Sequence, residues 1–371
     1  MENNKKKLEL MKASFPFSYL SQLLLFMSFF ISLSDCTKTP AIFIFGDSLI
    51  DNGNNNYLPS IAKANYFPYG IDYGMPTGRF SNGLTVMDYA ARWLGFPYPP
   101  PYLSMESKTT KIMKGVNYAS AAAGILASTG RHYGGRVTFN GQIELFEKTV
   151  KLELPMLISD TSVLSEYLAN SIFLINIGSN DYINNYLLPN MYTSSQTYSP
   201  KAFADLLINT FTDQLTRLYR LGARKMVLVG IGPLGCIPSQ LSMNNSSNGA
   251  CIQRVNDIVS EFNQLLLPLS TSLISSLPGS YFVYHNTYDT FSDMVHNPSN
   301  YVTNQACCGS GKYGGTMSCL PMQQPCGSRE QFIFWDSFHP TQAANAILAE
   351  RCYSPSATEC HPISAYQLAL M

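Results

Sequence analysis

Short runs of apolar residues recur along the chain, and each is followed by glycine, asparagine or proline. An apolar run of this length is typical of a strand buried on both faces of a sheet. The pattern predicts strands at Ala41–Phe45, Ile172–Ile177, Met226–Ile231 and Tyr281–Tyr284, with a weaker candidate at Gly115–Ala119.

Between these runs, apolar residues recur at the three- and four-residue spacing of amphipathic helices. Such patterns cover residues 84–94, 143–150 and 203–221, and the clearest one runs from Val255 to Leu273. Strands that alternate with helices predict an α/β fold, in which a mainly parallel sheet is covered by helices on both faces. We see no repeat or linker that divides the chain, so we expect a single domain over residues 37–371.

The first 34 residues have a different pattern. Lysines at positions 5–7 precede an apolar stretch from Tyr19 to Leu33, and small residues stand at Ser32 and Ser34. This is the layout of a secretory signal peptide, with cleavage expected at about residues 34–36. A membrane anchor is the alternative, but the stretch is short for a span and polar residues interrupt it. We therefore expect a secreted, extracellular protein without an integral membrane segment in the mature chain.

Composition and charge narrow the function. The chain has 371 residues, of which 46% are hydrophobic and 13% charged, as expected for a large folded core. The leader holds four of the 24 basic and two of the 24 acidic residues, so its removal leaves 20 basic and 22 acidic residues. A mature chain with this slight negative balance is not expected to bind nucleic acid.

Nine cysteines fit an oxidising compartment. Cys36 lies at the expected cleavage point, so that eight or nine remain in the mature chain. Cys307, Cys308, Cys319 and Cys326 crowd into one segment that superficially resembles a zinc cluster. In a secreted chain a disulfide-stapled loop is the stronger interpretation, and we expect no metal. Asn244 and Asn245 are overlapping candidate acceptors for an N-linked glycan.

Three polar turns offer candidate chemistry. Asp47 and Ser48 follow the first predicted strand, and Asn180 follows a later one in "IGSNDY". The carboxyl ends of parallel strands form the ligand-binding edge of an open α/β sheet. Near the chain end, Asp336 precedes His339 by three residues, a spacing that lets one turn bring a carboxylate to an imidazole. Such a pair activates a serine hydroxyl, although each residue taken alone also fits a helix cap or a turn. Pro340 suits the first position of a helix that runs to about Arg351.

Several motifs occur in one order: "FGDSLIDNGNN", "NYASAAAGI", "IGSNDY", "LYRLGARKMVLVGIGPLGCIP", "ACCGSGKYGG" and "FWDSFHPT". In this order the chain resembles the plant GDSL esterase/lipases, a branch of the SGNH hydrolase superfamily. The resemblance covers nearly the whole mature chain. It implies a flavodoxin-like, three-layer α/β/α fold and no cofactor.

The resemblance also implies residue roles: Ser48 as nucleophile, His339 as general base, and Asp336 to orient His339. The oxyanion would be held by the backbone N–H groups of Ser48 and Gly124 and by the side-chain amide of Asn180. One departure affects this set, because Ala121 and Ala122 stand where many relatives have glycine. The backbone donor could therefore come from Ala122 or Ala123 instead, and alanine favours ordinary backbone angles.

These residues predict a secreted serine esterase or lipase that acts on lipid or other acyl esters through an acyl-enzyme on Ser48. An acyltransferase that uses the same acyl-enzyme is the nearest alternative, because an alcohol competes with water for one intermediate. A catalytically silent protein that binds wall glycan or lipid is the alternative from another class.

Overall fold

The computed structural model describes residues 38–104, 110–298 and 301–371, so the leader, its cleavage point and Cys36 lie outside the described residues. The main sheet has the strand order β10-β5-β4-β3-β1-β2, and only β10 runs antiparallel to its neighbour. Its strands are β1 (Ile42–Gly46), β2 (Gly115–Asn117), β3 (Ile172–Asn176), β4 (Lys225–Val229), β5 (Tyr281–His285) and β10 (Cys360–His361). Two small ribbons pair β6 (Val302–Ala306) with β9 (Phe332–Phe334), and β7 (Gly309–Ser310) with β8 (Met317–Ser318).

The helices cover both faces of this sheet. They are α1 (Val86–Trp93), α2 (Phe139–Lys148), α3 (Thr161–Asn170), α4 (Ser179–Asp181), α5 (Ser194–Thr197), α6 (Pro200–Arg220), α7 (Pro238–Met243), α8 (Gln253–Ser276), α9 (Thr287–His296), α10 (Gln342–Tyr353) and α11 (Ala365–Leu370). The parallel order β2-β1-β3-β4-β5 is flavodoxin-like. The α/β class and the mainly parallel sheet predicted from the sequence are confirmed.

Side-chain alternation along each strand divides the core into two layers. In β1, Phe43 and Phe45 enter one hydrophobic cluster with residues of α2, α3, α6 and α8, whereas Ile42 and Ile44 enter another with α1, α10 and α11. All four side chains are buried. An uninterrupted apolar run is therefore what a strand between two helical layers requires, which explains why these strands were visible in the sequence.

Two helix starts differ from the sequence expectation. The helix α6 begins at Pro200, because the Ser199 hydroxyl accepts the Ala202 N–H at 3.3 Å, whereas the apolar pattern begins only at Phe203. The expectation that Pro340 is the first residue of the last long helix is wrong. Thr341 caps α10 instead, accepting the Ala344 N–H at 3.3 Å.

The strand order places a crevice at the carboxyl ends of β1 and β3. From β1 the chain continues to β2 at one edge of the sheet, and from β3 it continues to β4 on the other side. Loops that leave neighbouring strands in opposite directions open a gap between them, and ligands bind there in open α/β sheets. Within the described ranges, no helix is both long and apolar enough to cross a membrane.

Candidate active site

Ser48 lies in the tight turn that follows β1. A Cβ added to Gly46 would lie 2.1 Å from the Asn176 carbonyl oxygen, so only glycine allows β1 to approach β3 this closely. Gln142 of α2 braces the turn: its Oε1 accepts the Gly46 N–H at 2.9 Å and its Nε2 donates to the Gly46 carbonyl at 2.8 Å. The turn leaves Ser48 partly exposed at the edge of the crevice.

Ser48, His339 and Asp336 form a continuous hydrogen-bonded chain. The Ser48 Oγ lies 2.8 Å from His339 Nε2, and His339 Nδ1 lies 2.8 and 2.9 Å from the two carboxylate oxygens of Asp336. Asp336 Oδ1 also accepts the backbone N–H groups of Phe338 and His339, at 2.8 and 2.9 Å. Asp336 therefore caps its turn and contacts the imidazole at the same time. This geometry suits proton transfer from a serine hydroxyl to an oriented imidazole.

The charge of His339 and several hydrogen bonds keep Asp336 ionised despite complete burial. The Tyr69 hydroxyl donates to Asp336 Oδ2 at 2.5 Å. Burial raises the pKa of Asp336, but the charge of His339 and the hydrogen bonds from His339, Tyr69 and Phe338 outweigh it, so the pKa lies below its ordinary value. The Phe80 ring packs against the imidazole with 4.9 Å between ring centroids, which limits the orientations open to His339.

Asn180 lies in the helical turn α4, directly after β3. Its Nδ2 donates to the Ala123 carbonyl at 2.9 Å, and its Oδ1 accepts from Asn184 Nδ2 at 2.6 Å. An amide NH₂ group carries two hydrogens, so one N–H of Asn180 remains for a ligand. Asn180 lines the same cavities as Ser48 and His339.

Gly124 packs against a buried carboxylate. A Cβ added there would lie 2.6 and 2.7 Å from the two carboxylate oxygens of Asp181. Asp181 in turn accepts the N–H groups of Ile125 and Leu126, at 2.7 and 3.0 Å, and the Thr129 hydroxyl at 2.6 Å. The glycine is thus needed for the close approach of this loop to Asp181.

Ala122, unlike that glycine, faces a cavity that also contains the reacting groups. It lines a cavity together with Ser48, Asn180 and His339, whereas Gly124 does not line this cavity. Its φ is +65°, so the expectation of ordinary backbone angles is wrong at this alanine. A left-handed alanine costs roughly 1–2 kcal/mol, which the surrounding hydrogen bonds must offset. The neighbouring Ala121 N–H donates to Asp51 and Asn55, at 3.1 and 3.0 Å.

Two cavities meet at Ser48 and share Asn180, Ile183, Phe338 and His339. We call the first the apolar cavity; it has about 560 Å³ with its open mouth, and its remaining wall includes Leu49, Leu234, Ile237, Phe291 and Phe334. We call the second the polar cavity, because polar groups of Lys63, Tyr66, Tyr133, Asn184 and Ser318 stand in its wall beside apolar residues such as Ile61 and Phe80; it has about 590 Å³.

Comparison with known proteins identifies the family. The model of the GDSL-like lipase/acylhydrolase family matches residues 42–352. The chain belongs to this family. It is similar to GDSL esterase/lipase 7 of Arabidopsis thaliana, with 60% identity over 334 residues, which cover 89% of this chain and 92% of that protein.

Two further Arabidopsis thaliana GDSL esterase/lipases are 48% and 46% identical to this GDSL-family chain. The first is aligned over 337 residues, 89% of this chain and 92% of the relative, and the second over 338 residues, 90% of each protein. Family membership makes the chain a carboxylic-ester hydrolase, and the resemblance inferred from the sequence motifs is confirmed.

Disulfides staple the cysteine-rich loop of this GDSL hydrolase. Cys307 pairs with Cys326 and Cys308 with Cys319, as the interpretation of a stapled loop predicted. Elsewhere Cys236 is bonded to Cys251 and Cys352 to Cys360. Among the described residues, no group of three or more His, Cys, Asp and Glu side chains is arranged to hold a metal ion.

Several residues that build the site carried no recognisable sequence signal. Tyr69 is separated from Asp336 by 267 positions and lies in a loop rich in aromatic residues. The motif "SNDY" drew attention to Asn180, but only the fold shows that its neighbour Asp181 anchors the loop after Gly124. Gln142 lies on α2, where an amphipathic pattern gives a polar residue no special meaning.

Proposed function

We propose that the protein is a secreted serine esterase or lipase that hydrolyses lipid or other acyl esters through an acyl-enzyme on Ser48. The observation that carries the proposal is the hydrogen-bonded chain from Ser48 Oγ through His339 to Asp336. A serine hydroxyl becomes a useful nucleophile when a neighbouring imidazole accepts its proton. The opening of both cavities at Ser48 gives an ester carbonyl access to that oxygen.

The same contacts supply each proton transfer. His339 Nε2 accepts the Ser48 proton while Oγ attacks the carbonyl carbon, and a tetrahedral oxyanion forms. The imidazolium then donates this proton to the leaving alcohol, which leaves an acyl group on Ser48. Water attacks the acyl-enzyme as His339 accepts a proton from it, and the imidazolium then returns this proton to Ser48 Oγ as the bond between Oγ and the acyl carbon breaks and the acid is released. Asp336 stabilises the imidazolium in both halves of the reaction.

Three N–H groups are proposed to hold the oxyanion. The Ser48 backbone N–H and the second Asn180 amide hydrogen have no protein acceptor among the described residues. For the third, Ala123 is unsuited because its N–H donates to the Ser120 carbonyl at 3.1 Å. Ala122 and Gly124 both keep a free N–H in this part of the chain, and the position of Ala122 in the cavity wall favours Ala122 over Gly124.

The four disulfides support the proposed secretion, because such bonds persist in oxidising compartments. Of the two glycan acceptors, Asn245 is exposed. The Asn244 side chain donates to the Gln240 carbonyl at 2.9 Å and accepts from Arg254 at 2.8 Å. We therefore propose Asn245 as the glycosylated residue.

A labelled fluorophosphonate tests the nucleophile. We expect the probe to attach to Ser48, and we expect Ser48→Ala to abolish both labelling and ester turnover in a protein that still folds. Ser179→Ala is the matched control, because Ser179 lines the apolar cavity but makes no hydrogen bond to His339 among the described residues. Labelling of a serine other than Ser48, mapped by peptide mass spectrometry, would move the nucleophile and refute the mechanism.

Product analysis separates hydrolysis from acyl transfer. With glycerol or a sugar present at high concentration, we expect the free acid as the main product. A dominant new ester would favour the acyltransferase instead. Absence of turnover with any ester, in a protein that also resists the fluorophosphonate, would favour a silent binder.

A further inference from the structure

The two cavities at Ser48 differ in chemistry. Apart from the groups around Ser48 itself, hydrocarbon and aromatic side chains such as Leu234, Ile237 and Phe291 form the apolar cavity. The polar cavity instead offers an ammonium group on Lys63, a hydroxyl on Ser318 and an amide on Asn184. An ester has an acyl part on one side of its carbonyl carbon and an alcohol part on the other, so one substrate molecule can occupy both cavities at the same time.

We propose that the apolar cavity binds the acyl chain and that the polar cavity binds the alcohol. This proposal rests on the proposed function. The substrate class is then an ester of an aliphatic acid with a hydroxyl-bearing alcohol, such as a polyol or a sugar. Burial in the apolar cavity removes hydrocarbon from water, whereas alcohol hydroxyls placed there would lose their hydrogen bonds without replacement.

The position of the base is compatible with this assignment. His339 borders both cavities, and Phe80, which packs on the His339 ring, borders the polar cavity. An alcohol oxygen bound on the polar side is therefore within reach of the imidazole that must donate its proton.

Each cavity contains a position where a larger side chain fits. Gly232 lines the apolar cavity, and the three atoms nearest to a Cβ added there belong to the Phe291 ring, the closest at 3.4 Å, which is ordinary contact. Its φ lies outside the range that favours glycine, so Gly232→Val fits the backbone. Ile61 lines the polar cavity and is 77% exposed, so Ile61→Trp narrows that cavity without disturbing the core.

The test compares these two variants on two series of esters. One series varies the acid, with 4-nitrophenyl acetate and octanoate. The other varies the alcohol, with the butyrate esters of glycerol and of n-octanol. One methylene group in a hydrophobic pocket changes kcat/KM by about 10- to 200-fold. We therefore expect Gly232→Val to lower the octanoate-to-acetate ratio by at least about tenfold, and to leave the glycerol-to-octanol ratio within about twofold.

The reverse is expected of Ile61→Trp, which should shift the glycerol-to-octanol ratio and preserve the acyl-chain ratio. If the two variants exchange these effects, the assignment of the cavities is reversed and the proposal is wrong. Equal shifts in both ratios, or none, would overturn the division between the cavities. In each of these outcomes the wild-type enzyme still hydrolyses the esters, and only the assignment of the cavities fails. If the proposed function itself were wrong, the wild-type enzyme would hydrolyse neither series of esters.

Discussion

Two buried aspartates, Asp47 in the turn after β1 and Asp336 in the turn at 336–339, show how neighbouring charge and hydrogen-bond donors together set the pKa of a carboxyl group. Asp336 accepts from Tyr69, from the His339 ring and from two backbone N–H groups. Asp47 accepts only the Leu49 N–H, at 3.0 Å, and its Oδ2 has no partner among the described residues. Both carboxyl groups are about 1% exposed or less.

Their pKa values move in opposite directions. Burial raises the pKa of Asp47 to about 7, and the Leu49 N–H and the His339 charge oppose this only in part. For Asp336 burial is outweighed by the charge of His339 together with the hydrogen-bond donors, so its pKa falls below the ordinary value. The comparison teaches that burial alone favours the neutral carboxyl group, and that direct contact with the imidazole, joined by several donors, reverses this at Asp336.

The largest expected effect comes from removing the charge of Asp336. In Asp336→Asn, the amide no longer stabilises the imidazolium and favours the wrong ring tautomer. We expect kcat to fall roughly 10⁴-fold, as charge loss at this position of a catalytic triad does elsewhere. Ester-hydrolysis assays at saturating substrate, with the concentration of folded protein known, measure kcat. A kcat within tenfold of wild type would show that Asp336 serves only to cap its turn.

Asn180 sharpens the comparison, because it is buried and bonded at both ends like Asp336 but carries no charge. If its free N–H binds the oxyanion, Asn180→Ala should lower kcat by roughly 10² to 10³ with little change in KM. The loss of two buried hydrogen bonds should also lower the free energy of unfolding by about 1–3 kcal/mol.

The matched variant is Asn180→Asp, which preserves size but places a negative charge against the oxyanion. We expect it to be at least as inactive as Asn180→Ala when kcat is measured per folded molecule. If both variants retain near-normal kcat and lose only stability, Asn180 is a turn residue and not a donor.

The sequence made some of these features predictable and not others. Long apolar runs revealed β1, β3 and β4, because strands between two helical layers need apolar residues at every position. Motif order pointed to Ser48, Asn180, Asp336 and His339, which the fold brings to one crevice. These residues are visible because each stands next to a local signal, such as a strand end or a three-residue spacing.

The number of donors around each carboxyl group was not predictable, because it depends on contacts between distant segments. Nothing near Asp47 in the sequence indicates that its Oδ2 lacks a partner, and nothing near Asp336 indicates that Tyr69 reaches it. The left-handed Ala122 was hidden for the same reason, since distant residues such as Asp51 hold its loop.

Tyr69→Phe removes the hydrogen-bond donor to Oδ2 of Asp336, so this carboxyl group becomes more like that of Asp47, whose Oδ2 has no partner among the described residues. The ring contacts with Phe80 and Trp335 remain, while the donor to Oδ2 is lost. We expect kcat to fall less than about tenfold, because the other donors to Asp336 persist. A hydrogen bond to a charged group contributes about 1.5–3 kcal/mol, so stability should fall by about that amount at neutral pH.

The pH dependence separates positioning from simple packing. The pKa of Asp336 is lower in the folded protein than in the unfolded chain, where it lies near 3.9, so the ionised carboxylate stabilises the fold at pH values above about 3.9. This stabilisation disappears as the pH falls through the pKa that Asp336 has in the folded protein. Tyr69→Phe raises the pKa of Asp336, so wild type and variant should differ most in stability near pH 7 and less at pH 3. A stability difference that does not change with pH would assign Tyr69 to packing alone.

The smallest effect on activity is expected for Asp47→Asn, where the replacement is also neutral and close in shape. We expect kcat to change by less than about tenfold, because Asp47 hydrogen-bonds to neither Ser48 nor His339. Its effect on stability should depend on pH. Between about pH 4 and pH 7 the folded protein keeps a proton on Asp47 that the unfolded chain has lost, so the free energy of unfolding of wild type falls as pH rises.

Asparagine removes this titration, so Asp47→Asn should be increasingly more stable than wild type as pH rises from 4 to 8. A shift from the ordinary value to about 7 corresponds to at most about 4 kcal/mol. Urea unfolding at each pH measures the difference, with Asp213→Asn, at an exposed position of α6, as the control that should show little gain. If Asp47→Asn and wild type share one pH dependence, Asp47 is ionised in the fold even with a single donor. Donor number would then not be what distinguishes it from Asp336.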